Sequence, residues 1–345
     1  MNPSMSRVAI NGFGRIGRCF FRSAMRRGVD FEIVALNDLG SLESLAYLLK
    51  YDTVYGKADF EVIQDGKNLI VNGKPIAFVQ EKDLTKLPWK DMNIDLVVES
   101  TGVFTDPAKA KGHIDAGAKR VVISAPTKGD LPAQAGGAET ILIGANEEKL
   151  KTCQISSNAS CTTNAASPLI GILDEVIGVD KALLNTTHAY TASQSIVDAP
   201  NAKDLREGRA AAQNLVPAST GAAKATALVY PQMKDKFDGI SIRVPVPAGS
   251  MVDVTFIAKR QTTAEEVNAA LKAAAQSEKW KRVFAISEEP LVSSDILGLP
   301  YGSIADLALT RVVGGNLVKV MAWYDNEMGY AHTLVEHVVE AGKHV

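Results

Sequence analysis

Val8-Ala9-Ile10-Asn11-Gly12-Phe13-Gly14-Arg15-Ile16-Gly17 runs from a short apolar strand into G-x-G-x-x-G, and the pattern continues as a helix to about Arg27. A glycine triplet alone says little, but its setting says more. A second apolar stretch, residues 31–36, follows the helix and ends in Asn37-Asp38. Strand, turn, helix, strand and acid in that order form one half of a doubly wound sheet. Gly12, Gly14 and Gly17 let the backbone close on a pyrophosphate at the helix start, where free N–H groups and the helix dipole favour an anion. Asp38, about 20 residues past the last glycine, is placed to accept hydrogen bonds from adenosine ribose hydroxyls. Its carboxylate would repel the extra phosphate of NADP and no Arg follows it closely, so the expected cofactor is NAD.

The pattern of a parallel sheet continues downstream. Apolar strands at 96–99 and 121–124 flank a helix-like stretch at 106–116, and end in Ser100-Thr101-Gly102 and Ser124-Ala125-Pro126. Small and hydroxyl-bearing residues thus fall at the carboxyl ends, where doubly wound sheets hold ligands. Asp65-Gly66 and Asn72-Gly73 read as hairpin turns of an antiparallel insertion. Later, strand-like runs at 182–191, 240–246, 251–258 and 317–324 alternate with helix-forming stretches at 221–228 and 264–275. A broken segment, 192–216, reads as a long ordered loop. The expected architecture is α/β: a Rossmann-type doubly wound NAD-binding domain over residues 1–160, then an α+β catalytic domain with a mostly antiparallel sheet over 161–327. A C-terminal helix, 328–345, is expected to pack back on the first domain.

Ser157-Asn158-Ala159-Ser160-Cys161-Thr162-Thr163-Asn164 sets a cysteine where a small-residue loop becomes an apolar helix, with Ser160 as N-cap. A helix start favours thiolate over thiol, and the thiolate is what attacks a carbonyl. Most free cysteines are simply buried. His188, at the end of the next strand, reverses that preference here, because a Cys and a His on consecutive elements can meet as nucleophile and base. Cys19 and Cys153 form neither a C-x-x-C pair nor a zinc spacing with Cys161, and His332 and His337 are five apart, so no metal is expected. With 345 residues, 46% hydrophobic and 22% charged, and a net charge of −2, the composition is that of a two-domain globular enzyme. No basic block predicts nucleic acid as a partner, and no apolar run predicts a membrane segment or a signal peptide, so a cytoplasmic protein is expected.

Four separated segments carry a resemblance: INGFGRIGR (10–18), SNASCTTN (157–164), STGAAKA (219–225) and WYDNEMGY (323–330). Through them the chain resembles the phosphorylating glyceraldehyde-3-phosphate dehydrogenase family over nearly its entire length. The resemblance implies a homotetramer of glycolysis and gluconeogenesis that oxidises D-glyceraldehyde 3-phosphate with NAD and inorganic phosphate to 1,3-bisphosphoglycerate. Cys161 would carry a thioester and His188 would act as base. Thr191, Ser193 and Arg243 would hold the substrate phosphate; Ser160, Thr162, Thr220 and Gly221 would receive inorganic phosphate. Arg15 and Ile16 would lie at the cofactor pyrophosphate, Thr101 and Ser124 along the cofactor, and Asn326 at its carboxamide.

Some positions depart from the family pattern. Ala165 stands where many members have a second cysteine, Glu207 stands where relatives often have Arg or Gly, and Ala199 resembles NADP-using plastid relatives. Two other readings share parts of the pattern. An erythrose-4-phosphate dehydrogenase would keep the Cys, the His and the glycine turn but generally lacks STGAAKA. A Cys/His acyl transferase needs only Cys161 and His188, and leaves Gly12 to Gly17 and Asp38 without a purpose.

Overall fold

Strand Ser6–Asn11 sits at the middle of a nine-stranded sheet, parallel to Phe31–Asn37 on one side and to Leu96–Glu99 on the other. Strand order reverses there, which is where a doubly wound sheet opens a crevice at its carboxyl ends. The computed structural model describes residues 5–129, 137–202 and 204–345, and the chain divides into two units, Met1–Ala159 with Leu334–Val345, and Ser160–Thr333. In the first unit the sheet continues in parallel through Arg120–Ile123, Ile155–Ser157 and Ala138–Thr140. On the other side Lys74–Val79 is parallel, and Asn68–Val71 and Val62–Asp65 complete it in antiparallel fashion. Asn72 and Gly73 both take positive φ, 48° and 75°, as a type I′ hairpin requires.

Helices cover this sheet because its central strands are apolar on both faces: Val8, Ala9, Ile10, Leu96, Val97 and Val98 are all fully buried. Each of these Val, Ile and Leu side chains contributes about 1.5–3 kcal/mol of transfer free energy. Helix Arg15–Arg27 buries Cys19, Phe20, Phe21 and Ala24, and stops at Gly28, whose φ of 66° forms a left-handed cap. The stretch at 106–116 is not one helix but two short ones, Pro107–Ala110 and Gly112–Asp115. The glycine at the joint weakens a continuous helix, and a Cβ there would meet Leu84 Cβ at 2.9 Å.

The last helix, Met328–Gly342, adds Leu334, Val335, Val338 and Ala341 to the same core. Its His337 is fully buried, with Nδ1 3.1 Å from Asn158 Oδ1 and Nε2 2.8 Å from Ser156 Oγ. The ring is satisfied as a neutral imidazole, and burial lowers its pKa from 6.5 to about 3. The unfolded chain therefore takes up a proton at this residue that the fold refuses. Its stabilising effect is complete above about pH 6.5 and declines as pH falls toward 3, by about 2 kcal/mol at pH 5. His337→Gln, which keeps a donor and an acceptor, should flatten denaturant stability between pH 7 and pH 5 by that amount. An unchanged acid slope would contradict this.

The second unit carries an eight-stranded sheet in the order Val216–Ser219, Phe237–Val244, Val179–Ala189, Ser250–Ala258, Leu317–Tyr324, Ser303–Asp306, Phe284–Ser287, with Arg311–Val313 also paired to Leu317–Tyr324. Most pairings are antiparallel; Val179–Ala189 with Phe237–Val244 and Phe284–Ser287 with Ser303–Asp306 are parallel. Along Val179–Ala189 the two-residue period is plain. Ala182, Leu184, Thr186 and His188 are buried, while Leu183 is 67% exposed. His188 thereby belongs to the buried face, against which helix Cys161–Val176 packs.

Candidate active site

In the first unit the glycines of the opening motif separate into two kinds. Gly12 has φ of 89°, and a Cβ on it would lie 2.6 Å from Thr101 N; a Cβ on Gly17 would lie 2.2 Å from Gly12 O. Both are required by the backbone's own close approach. Gly14 has nothing within 4 Å of a Cβ and caps helix Arg15–Arg27 without a side-chain hydrogen bond, so its free side faces a crevice and the first helical N–H groups receive no side-chain cap. A cavity of about 300 Å³ opens there, lined among others by Asn11, Gly14, Asp38, Leu39, Ser100 and Thr101. Its glycine floor, uncapped helix start and acidic edge fit the adenosine and pyrophosphate of a dinucleotide.

Asp38 has a second task in this cavity. Oδ2 accepts from Phe13 N–H at 2.7 Å and Oδ1 from Gly40 N–H at 2.8 Å, which ties the glycine turn to the strand after it. Each oxygen keeps a further lone pair for a ribose hydroxyl. Arg15 pairs with Asp52 and lies over the Tyr55 ring, 5.2 Å from its centroid, while Ile16 packs on the core. Thr101 donates through both N–H (2.8 Å) and Oγ1 (2.5 Å) to Glu99 Oε1, and Ser124 N–H donates to Glu99 O at 2.9 Å.

Glu99 escapes a reading based on motifs. Only 2% exposed, it also accepts from Asn11 Nδ2 at 2.6 Å and lies 3.0 Å from His113 Nε2, whose Nδ1 receives the Trp89 Nε1–H at 3.0 Å. A buried carboxylate so fully satisfied fixes the cavity wall. Gly14→Ala should leave the melting temperature unchanged yet weaken NAD binding about tenfold, roughly 1.4 kcal/mol, because the methyl enters the space kept for phosphate. Calorimetric titration with NAD checks it; equal affinity would remove Gly14 from the site.

In the second unit Cys161 opens its helix as expected. Ser160 is the N-cap, with Oγ accepting from Thr163 N–H at 3.1 Å, and Ala159 before it takes φ of 54°. Cys161 Sγ lies 3.4 Å from His188 Nε2. On the other side of the ring, Nδ1 is 2.6 Å from Arg243 Nη1 and 2.6 Å from the Ala189 carbonyl. The arrangement follows from strand register, since His188 and Arg243 are direct partners on parallel strands.

Burial, and then the Arg243 charge, lowers the His188 pKa to about 3, so the ring is neutral. Burial also raises the Cys161 thiol, although Arg243 and Thr162 pull it the other way. The helix start favours the thiolate, and burial of the sulfur opposes it. Part of the residue reaches the surface, but protein atoms crowd the sulfur, and an uncharged imidazole offers no compensating cation.

Tyr324, within WYDNEMGY, is a further member that sequence reasoning missed. Its buried hydroxyl lies 2.9 Å from Thr162 Oγ1 and 2.7 Å from Thr186 Oγ1, and its ring meets His188 edge-on at 5.8 Å. Burial raises its pKa. The Thr162 hydroxyl is thus turned into the core rather than toward an anion. Thr191 is half-buried and Ser193 exposed, and they share a 3.0 Å hydroxyl contact. Thr220 Oγ1 accepts from Ala222 N–H at 3.2 Å, and Gly221 caps helix Ala222–Val229 with open space where a Cβ would stand. Asn326 Oδ1 accepts from Gly249 N–H (3.1 Å) and Ser250 Oγ (3.0 Å). Ala165 is buried, and the Glu207 carbonyl accepts from Ser195 N–H at 3.1 Å within the loop that follows His188.

Two family models match the chain: "Glyceraldehyde 3-phosphate dehydrogenase, NAD binding domain" over residues 6–107 and "Glyceraldehyde 3-phosphate dehydrogenase, C-terminal domain" over residues 160–326. Among similar curated proteins, glyceraldehyde-3-phosphate dehydrogenase 2 of Streptomyces avermitilis is 49% identical, over 97% of this chain and 98% of its own. The glyceraldehyde-3-phosphate dehydrogenases of Geobacillus stearothermophilus and Mycobacterium tuberculosis are each 48% identical, over 96% and 98% of both chains respectively.

Proposed function

The chain belongs to the glyceraldehyde-3-phosphate dehydrogenase family, and from that premise we propose that it oxidises D-glyceraldehyde 3-phosphate with NAD and inorganic phosphate to 1,3-bisphosphoglycerate, through a thioester on Cys161. It is an NAD-dependent oxidoreductase of glycolysis. The observation that carries the thioester step is the 3.4 Å approach of Cys161 Sγ to His188 Nε2 at the start of a helix, and STGAAKA at 219–225 supports phosphate as the acyl acceptor.

Cys161 Sγ attacks the aldehyde carbon while His188 Nε2 accepts the proton, and the Cys161 backbone N–H and the imidazole stabilise the oxyanion. NAD⁺, when bound, supplies the acceptor for the hydride leaving that carbon. The acyl group stays on sulfur, where it keeps the oxidation energy for transfer to phosphate. Inorganic phosphate then attacks the acyl carbon and Cys161 departs as thiolate. Arg243, with Thr191 and Ser193, takes the substrate phosphate through charge-assisted hydrogen bonds. Ser160, Thr220 and Gly221 receive inorganic phosphate, with Thr162 contributing from its backbone. On the cofactor side Gly12, Gly14 and Gly17 cradle the pyrophosphate with Arg15 and Ile16 beside it, and Asp38 takes the ribose. Thr101 and Ser124 line the path, and Asn326, its Oδ1 already committed, gives Nδ2 to the carboxamide.

Ile196, Val197, Leu205 and Leu215, all beyond His188, are highly exposed, which supports self-association as a homotetramer. Among the described residues no helix is long and apolar enough to cross a membrane, and the reading places the enzyme in the cytoplasm. Steady-state aldehyde oxidation with phosphate varied, against NAD⁺ and NADP⁺, tests the proposal. Sustained turnover should require phosphate and favour NAD⁺ at least about tenfold. Sustained phosphate-independent turnover would reject it.

A further inference from the structure

Helix Cys161–Val176 meets helix Ala222–Val229 and its capping Tyr230 at two places that share one spacing. Ser167 Oγ lies 2.8 Å from Thr226 Oγ1, with both residues fully buried. Four residues further along each chain, a Cβ on Gly171 would lie 2.2 Å from the Tyr230 hydroxyl. Residues four apart share one face of a helix. The two contacts advance together, so the helices run side by side in the same direction and start at the same end. One turn earlier, Thr163 is level with Ala222, which puts Cys161 at the same end as Thr220 and Gly221.

The hydrogens of this contact have one arrangement. Thr226 Oγ1 donates to the Ala222 carbonyl at 2.9 Å, so the Ser167 hydroxyl donates to Thr226. Ala222 is held from its other side as well, its N–H donating to Thr220 Oγ1 at 3.2 Å. That bond uses a lone pair of Thr220 and leaves its hydroxyl hydrogen for an anion. A run of hydrogen bonds therefore leads from the nucleophile's helix, through Ser167, Thr226 and Ala222, to the hydroxyl of Thr220. Buried hydroxyls lose water and regain it only as a bond of fixed direction, so this pair sets how one helix slides along the other.

We propose that Ser167 and Thr226 are positioning residues for the phosphate step: their bond holds Thr220 and Gly221 where acyl transfer from Cys161 to inorganic phosphate needs them, while thioester formation does not depend on it. This rests on the reading that Thr220 and Gly221 receive inorganic phosphate. In that step a phosphate oxygen bonds to the acyl carbon, the carbon–sulfur bond breaks, and its electron pair leaves with Cys161 as thiolate. Misplacing a reactant by a fraction of an ångström slows such a step steeply. Aldehyde attack and hydride loss use Cys161 and His188, neither of which lies on helix Ala222–Val229. Loss of the bond should therefore divide the two half-reactions.

Rapid mixing with NAD⁺ and glyceraldehyde 3-phosphate reads thioester formation as first-turnover NADH; inorganic phosphate added afterwards reads acyl loss against its concentration. Ser167→Ala and Thr226→Val should each keep the first-turnover rate within about twofold and lower the second-order rate of phosphate attack about tenfold. The double variant should lose no more than either single one, since all three remove the same bond. Thr226→Ser keeps the hydroxyl and should restore the rate of the unaltered enzyme. The clamp is overturned if both half-reactions fall together, if the losses add in the double variant, or if Thr226→Ser is as slow as Thr226→Val. Thr220→Ala tells the two possible failures apart. Phosphate attack slowed by Thr220→Ala but untouched by Ser167→Ala and Thr226→Val rejects the clamp alone, and attack untouched by Thr220→Ala rejects the phosphate role of Thr220 on which the clamp depends.

Discussion

Cys161→Ser is expected to reduce NADH formation from glyceraldehyde 3-phosphate by at least about 10⁴-fold while NAD affinity stays within about twofold. The two halves of that expectation have separate physical origins. Serine keeps the volume and suits a helix start, so the Ser160 cap and the packing of helix Cys161–Val176 survive. The glycine turn, Asp38 and Thr101, which hold the dinucleotide in this account, belong to the other unit of the chain. Chemistry fails because a hydroxyl is far less acidic than a thiol, and a ring as reluctant to be protonated as His188 cannot draw its proton off. Parallel measurement of turnover and calorimetric NAD binding checks both halves. Residual activity within tenfold would remove Cys161 from the reaction, and lost NAD binding would mean the substitution had damaged more than the nucleophile.

His188→Asn is expected to lower kcat by about 10²–10⁴-fold, the range for losing a positioned general base. Asparagine can still accept from Arg243 through Oδ1, so register and packing on strand Val179–Ala189 are kept. It cannot take a proton, so the thiol should titrate higher and the acidic limb of the rate profile should shift with it. KM for NAD should not move. An unchanged pH dependence of Cys161 alkylation would contradict the pairing of sulfur and imidazole.

How far the sequence alone led depended on the kind of signal. The glycine turn was legible because its demands are steric: Gly12 and Gly17 fail with any Cβ, and such positions print themselves as glycine. Cys161 and His188 were legible because a helix cap and a two-residue strand period fix where each side chain is presented. The parallel strands at 96–99 and 121–124 showed as unbroken apolar runs. By contrast Val216–Ser219, Phe284–Ser287, Ser303–Asp306 and Arg311–Val313 gave little sign, since each is four residues or fewer and carries small, polar or proline positions. Their strand character comes from the partner they pair with.

The same holds for Glu99, His113 and Tyr324. Each is polar, buried and satisfied by residues distant in sequence, and no local period announces such a network. The inward turn of the Thr162 hydroxyl and the grip of Arg243 on His188 likewise depend on neighbours that only the fold supplies. The thiol is the sharpest case. A helix start argues for thiolate and burial argues against it, and the burial, like the Arg243 and Thr162 neighbours that oppose it, comes from packing that no local pattern announces.

The most direct test of the account mixes the enzyme with excess NAD⁺ and glyceraldehyde 3-phosphate without inorganic phosphate, and follows NADH on the first turnover. A burst of one NADH per subunit that then stalls is expected, with peptide mass analysis finding the acyl group on Cys161 and added phosphate releasing it and restarting turnover. No burst, or a burst with Cys161 unmodified, would contradict it.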